Sequence, residues 1–163
     1  MDRPVDWKSL TKRLSQTDWQ IALVVSGGGI GAIERCMKRA GASVNFVEAV
    51  VPYSRASMRD YLGAPMVGKS ASKETSIQLA QVAFERAVSF SDIDQGRAVG
   101  IALVAAMPTF PARNQTNQIH VAMITMNGCQ SRSRELDGQL IDRDDAEEIA
   151  EAMVAEMVEN LTG

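Results

Sequence analysis

Residues Ala98 to Ala106 (AVGIALVAA) carry no polar side chain. The apolar run continues through Met107 and reaches about half of the ~20 residues that a membrane-spanning helix needs. A segment this short and this apolar reads as a strand buried on both faces. Three other segments read as strands: Gln20 to Ser26 (QIALVVS), Val44 to Val51 (VNFVEAVV) and Ile119 to Met126. Helical patterns separate most of them. Buried strands alternating with helices predict an α/β fold, with a mostly parallel sheet covered on both sides. Asn127-Gly128 is a strong hairpin turn, so an antiparallel pair joins the sheet and makes it mixed.

Trp7, Leu10 and Leu14 share one face of a helix over Val5 to Gln16. A second helix runs from Ile30 to Arg39 and ends at Gly41. Pro52 stops the second strand, and Ser54 caps a helix to about Leu62, closed by Gly63. A loop with Pro65 and Gly68 leads to Ser72, the N-cap of a helix reaching Val88. Ser89 to Arg97 is a polar connection, and Pro108 and Pro111 open a polar loop to Gln118. Cys129 to Leu140 is a polar fifth strand at an edge. Ala146, Ile149, Ala150, Met153, Met157 and Leu161 form the apolar stripe of a final helix. The reading is one domain over 1–163, with an N-terminal helix in 1–18 and a core in 20–161.

Charge narrows the partners. Seventeen basic and twenty acidic residues leave a net charge of −3, without the basic surplus of a nucleic-acid binder. From Glu135 onward there are ten carboxylates and one cation, Arg143. Those that open the last helix complement its dipole, which needs no metal. Two cysteines, Cys36 and Cys129, and one histidine, His120, make neither a disulfide framework nor a zinc site. Met1 to Lys8 lacks the apolar core of a signal peptide. A reduced, cytoplasmic, soluble protein without membrane or nucleic-acid partners is the expectation. The acceptor pattern Asn114-Gln115-Thr116 has no meaning without secretion.

Chemistry is concentrated at three places. Ser26-Gly27-Gly28-Gly29 joins the first strand to a helix start, where free N–H groups suit a phosphate. Gly27, Gly29 and Ala32 match the dinucleotide pattern, and Glu48 lies near the distance for a ribose contact. Glu48 is mid-strand, however, and the chain has little room for a second nucleotide half. A tight turn without ligand is the even alternative. Ser43 and Tyr53 flank the second strand, which by simple geometry puts them at its opposite ends. His120, in a strand, reads as a hydrogen-bonded packing residue, and no nucleophile elbow supports a catalytic triad.

The order of motifs resembles the C-terminal domain family of the competence-damage-inducible protein CinA, which includes nicotinamide mononucleotide (NMN) deamidases. The likeness spans Gln20 to Leu161. It rests on Ser26 to Gly29, Ala40-Gly41-Ala42-Ser43, Val50-Val51-Pro52-Tyr53-Ser54, Leu62-Gly63, the strand Ala98 to Ala106, and Asp142-Arg143. The run Glu48 to Arg55 is similar to a divergent subgroup that precedes a nucleotidylyltransferase-like domain in plants and fungi. The resemblance implies a three-layer α/β/α sandwich of about five strands, a homodimer, and no cofactor or metal. It implies Ser43 as nucleophile, with Tyr53 and Arg143 assisting, and Ser26, Gly27, Gly28 and Gly29 holding the nucleotide.

Met58 departs from that pattern. It stands where the deamidases carry the lysine base, and a thioether cannot take a proton. Loss of a positioned base costs ~10²–10⁴ in rate. The loop after the third strand, Leu103 to Pro108, is bulky where the family is glycine-rich. Two readings follow: a degenerate or altered amidohydrolase of nicotinamide nucleotides, or a non-catalytic domain that binds a pyridine nucleotide or a protein.

Overall fold

The computed structural model describes residues 3–91, 95–111, 116–136 and 141–163. Its elements are α1 (Trp7–Ser15), β1 (Gln20–Gly27), α2 (Gly31–Met37), α3 (Ala42–Asn45), β2 (Phe46–Val50) and α4 (Arg55–Leu62). They continue as α5 (Lys73–Phe90), β3 (Ala98–Ala106), β4 (Asn117–Thr125), β5 (Gly128–Leu136) and α6 (Arg143–Thr162). The five strands form one sheet in the order β2-β1-β3-β4-β5. β1 pairs in parallel with β2 and β3, whereas β4 is antiparallel to both β3 and β5. Four of the five strands therefore point the same way, as the alternating pattern predicts.

Caps define the helix starts. The side chains of Asp6, Ser54, Ser72 and Asp142 each accept a backbone N–H from the first turn of α1, α4, α5 and α6. Gly63 closes α4 in the left-handed region. The largest departures from the sequence reading surround the second strand. α2 stops at Met37, and Gly41 introduces the single turn α3 rather than merely ending a helix. The second strand consequently begins at Phe46, not Val44. The expected end of the fifth strand, toward Leu140, lies outside the described residues.

The sheet divides the core in two. Ile21, Leu23 and Val25 of β1 join the cluster covered by α1, α2 and α6. Ala22 and Val24 join the cluster covered by α4 and α5. The period-two alternation of a strand thus sends neighbours to opposite layers. The β1–β2 register slips between Ile21 and Ala22, which skips Val47 and places Glu48 opposite Ala22. Glu48 is gripped by the guanidinium of Arg86 on α5. That ion pair gives Glu48 a structural partner, so the ribose contact considered above does not arise.

Candidate functional site

Where β1, β2 and β3 end, the chain leaves an open cleft of about 420 Å³. This is the carboxyl edge of the parallel strands, where α/β folds bind ligands. The volume lies within the ~300–1,000 Å³ range of small-molecule sites. Ser26, Gly27, Ala105 and Ala106 form the floor, Tyr53, Arg55 and Met58 one wall, and Lys69, Ser70 and Ala71 the other. Arg55 is there because Ser54 caps α4 and makes Arg55 its first residue. Lys69 is there because its loop leads into the cap of α5. The cleft's lining includes two cations and no carboxylate, and neither Arg55 nor Lys69 pairs with an acid among the described residues. Met58, on the wall, is 2% exposed and belongs to the apolar cluster under α4 and α5.

Of the expected site residues, the structure gathers Ser26, Gly27 and Tyr53 at this cleft. The Ser26 hydroxyl is buried and donates to the Pro52 carbonyl oxygen at 2.8 Å. Tyr53 is 71% exposed.

Gly28, Gly29 and Arg143 face elsewhere. Gly27 and Gly29 hold φ of 82° and 98°, a region that favours glycine. A Cβ on Gly27 would strike the Ala105 carbonyl oxygen, and one on Gly28 would sit on the Met107 sulfur. Close packing against β3 therefore demands these glycines. The Gly28 N–H reaches the Ala105 carbonyl at 3.4 Å. The Gly29 N–H donates to both carboxylate oxygens of Glu147, at 3.1 and 2.9 Å. Arg143 donates to the same carboxylate at 3.1 Å and to the Pro108 carbonyl at 3.3 Å. A carboxylate of the chain itself thus occupies the spot that the sequence reading offered to a phosphate. Arg143 neutralises that carboxylate and does not line the cleft.

Ser43 is not with the others. It is exposed on α3, before β2 begins. Its neighbours Val44 and Asn45 bond to Gln20, Thr17 and Trp19 at the amino end of β1. Tyr53 follows the other end of β2. Five strand residues at ~3.3 Å each put about 17 Å between them along the strand. Strand geometry, not the resemblance, foretells this separation. Within one chain, Ser43 cannot attack a ligand held beside Tyr53.

His120 is buried on β4 between Ser133 and Gln118, with contacts of 2.7 Å at Nδ1 and 2.8 Å at Nε2. An amide oxygen only accepts, so Nε2 carries the proton and Nδ1 accepts from the Ser133 hydroxyl. Gln118 is neutral and cannot support an imidazolium as a carboxylate does. Burial lowers the His120 pKa, against a smaller upward pull from Glu74 and Glu135. With the folded pKa depressed, the unfolded chain takes the proton first as pH falls. The resulting stability is complete above about pH 6.5 and declines as pH drops below it. Urea unfolding between pH 5 and 8 is expected to show this decline, and His120→Gln to remove it. An unchanged slope in the variant would assign the pH dependence to other groups.

Two further grooves, of about 590 and 380 Å³, flank the segment from Arg3 to Val5 where it crosses α6. Both are lined by carboxylates as well as cations, and each holds an ion pair, Arg13–Glu159 at 2.7 Å in one and Arg35–Glu151 at 2.9 Å in the other. The carboxyl-edge cleft, with its uncompensated cations, is the better candidate. Among the described residues no cluster of His, Cys, Asp and Glu is placed to hold a metal. Cys36 is buried, which pushes its thiol up to about 12 and leaves it unreactive. Among the described residues, no helix is long and apolar enough to cross a membrane.

The sequence reading passes over Arg55, and it considers Lys69, with Lys73 and His120, only as a substitute base that nothing in the sequence places. The available signals were Arg55 directly after a Pro-Tyr-Ser cap and Lys69 in the loop before a second cap. Glu147 was read as a dipole partner of α6, and nothing in the sequence tied it to Gly29.

No family model and no curated protein sequence matches the chain. Solved structures do. The chain is similar over its whole length to the competence/damage inducible protein CihA from Agrobacterium tumefaciens, with 20% identity, all of that chain covered and a TM-score of 0.72. A competence-damaged protein (CinA) superfamily protein from Enterobacter cloacae matches at 14% identity and TM-score 0.73, over 100% of this chain and 96% of that one. Its Escherichia coli counterpart matches at 12% identity and TM-score 0.72, over 99% and 94% of the two chains. Identities this low speak for architecture alone, and in architecture the chain is a CinA-like domain.

Proposed function

We propose that this CinA-like domain binds a small anionic ligand of the nucleotide class in the carboxyl-edge cleft and does not hydrolyse it by a serine–lysine route. One observation carries the reading: among the described residues Arg55 and Lys69 pair with no acid, and they line a cleft whose wall carries Met58 and no carboxylate. Two cations without a carboxylate favour an anion. The resemblance names the nicotinamide nucleotides, so NMN is the first probe. For the hydrolytic alternative, Lys69 is a cleft residue able to act as a base, and Ser26 is a serine on the same floor. The Ser26 hydroxyl is already committed to the Pro52 carbonyl. It also lacks a partner that would accept its proton.

The test measures binding and turnover together. Purified protein is expected to bind NMN by calorimetry, and to release no ammonia from it. Ser43→Ala is expected to leave NMN binding unchanged, because Ser43 lies beyond the far end of β2. Met58→Lys is expected to release no ammonia either, since a restored amine still faces no free serine. Ammonia release that disappears in Ser43→Ala or Ser26→Ala would replace this reading with the amidohydrolase. Absence of binding to NMN, adenosine monophosphate and inorganic phosphate would end it.

A further inference from the structure

The loop from Gly63 to Ser72, which brings Lys69 to the cleft, is tied to α5 by side-chain hydrogen bonds. Gln78 donates to the Pro65 carbonyl at 2.9 Å and accepts from the Val67 N–H at 3.0 Å. It occupies both backbone groups as a paired strand would. Four residues on, the Lys69 carbonyl accepts two hydroxyls, from Thr75 at 2.6 Å and from Ser72 at 2.7 Å. The Ser72 oxygen is in turn fixed by the Thr75 N–H at 3.2 Å. Thr75 is fully buried, so water does not compete for its bond. A cap needs only the Ser72 acceptor. The second hydroxyl lies 3.1 Å from that of Ser72 and donates to the Lys69 backbone.

We propose that Thr75 and Gln78 are positioning residues, which fix the backbone from which Lys69 reaches the anion. The inference rests on the reading of the cleft as an anion site. Fixing that backbone before binding removes part of the cost of ordering the loop on binding, an expected gain in affinity of about two- to fivefold.

The experiment is a double-mutant cycle on NMN binding, read by calorimetry on the full chain, with thermal unfolding as the folding control. Thr75→Val keeps the shape and removes the hydroxyl. It is expected to weaken binding about two- to fivefold, no more than the loss of Lys69 itself. Thr75→Ser, which restores a hydroxyl, is expected to recover it. The deciding step is the Lys69→Met background, where Thr75→Val is expected to have no further effect. Gln78→Leu, on a partly exposed side chain, gives the same readout if the buried variant does not fold. If Thr75→Val weakens binding equally with and without Lys69, its role is structural and the proposal fails. If Lys69→Met itself changes nothing, the anion-site reading fails instead, and the two failures are told apart by that single variant.

Discussion

Replacing Arg55 and Lys69 together by methionine is expected to weaken NMN binding about 30-fold while the fold survives. A hydrogen bond to a charged group is worth up to ~3 kcal/mol when buried. Both cations here are exposed. Solvent screening reduces each to about 1 kcal/mol. Two such terms, ~2 kcal/mol in all, correspond to roughly a 30-fold change in Kd. Among the described residues neither side chain has an acidic partner to strand, so unfolding should change little. The salt dependence supplies an independent check. Exposed charges lose their reach as the screening length shrinks from ~10 Å at 0.1 M to ~3 Å at 1 M. Wild-type affinity should therefore fall with added salt, and the double variant should be nearly indifferent. An affinity unchanged by the two substitutions, or by salt, would exclude an electrostatic site in this cleft.

Gly100→Val is expected to destabilise the fold strongly. Gly100 lies in mid-β3, where α5 crosses closest. A Cβ there would strike the Ala80 carbonyl oxygen and the Phe84 N, and come within 2.8 Å of the Phe84 Cα. These are backbone atoms of a helix, so no rotamer change relieves the contact. Overpacking of this kind costs roughly 3 kcal/mol. At 2–4 °C per kcal/mol for a chain this long, the melting temperature should fall by about 6–12 °C. The same shift moves α5, and α5 carries Ser72, Thr75 and Gln78. Binding at the cleft should weaken too, although Gly100 is not part of it. A melting temperature within a degree of wild type would show that the helix can lift without cost.

Much of the layered fold was legible in one dimension. β3 spans Ala98 to Ala106, the bounds its apolar run predicts, and β1 exceeds its predicted end by one residue. Both are central strands, and a strand covered on two faces must be apolar along its length. β2 was less legible because it is an edge strand of half-buried residues. Its apolar pattern starts in α3, where Val44 belongs to a helical turn rather than the ladder. Ser54 and Ser72 could be read as caps because capping is local chemistry between residues three apart.

The site divides along the same line. The strand between Ser43 and Tyr53 was visible in the sequence, and so was the consequence that they stand at opposite ends. A motif order shared with a family does not carry distance, and the expectation that the two converge did not survive the fold. What determined the glycines at 27–29 also lay partly in view, since strand-to-helix corners need small residues. That Glu147 would fill the anion position there was not, because the two are 118 residues apart and meet only when α6 packs on α2.

Local chemistry, then, was settled by the sequence alone: which stretches are strands, which residues cap helices, and that Met58 cannot serve as a base. Backbone conformation and apolar patterning act over a few residues and can be read where they stand. Only the tertiary structure decided which charges are spent and which are free. Arg143 is paired with Glu147, while among the described residues Arg55 and Lys69 meet no acid, because an ion pair depends on distances in space that the order of residues does not encode.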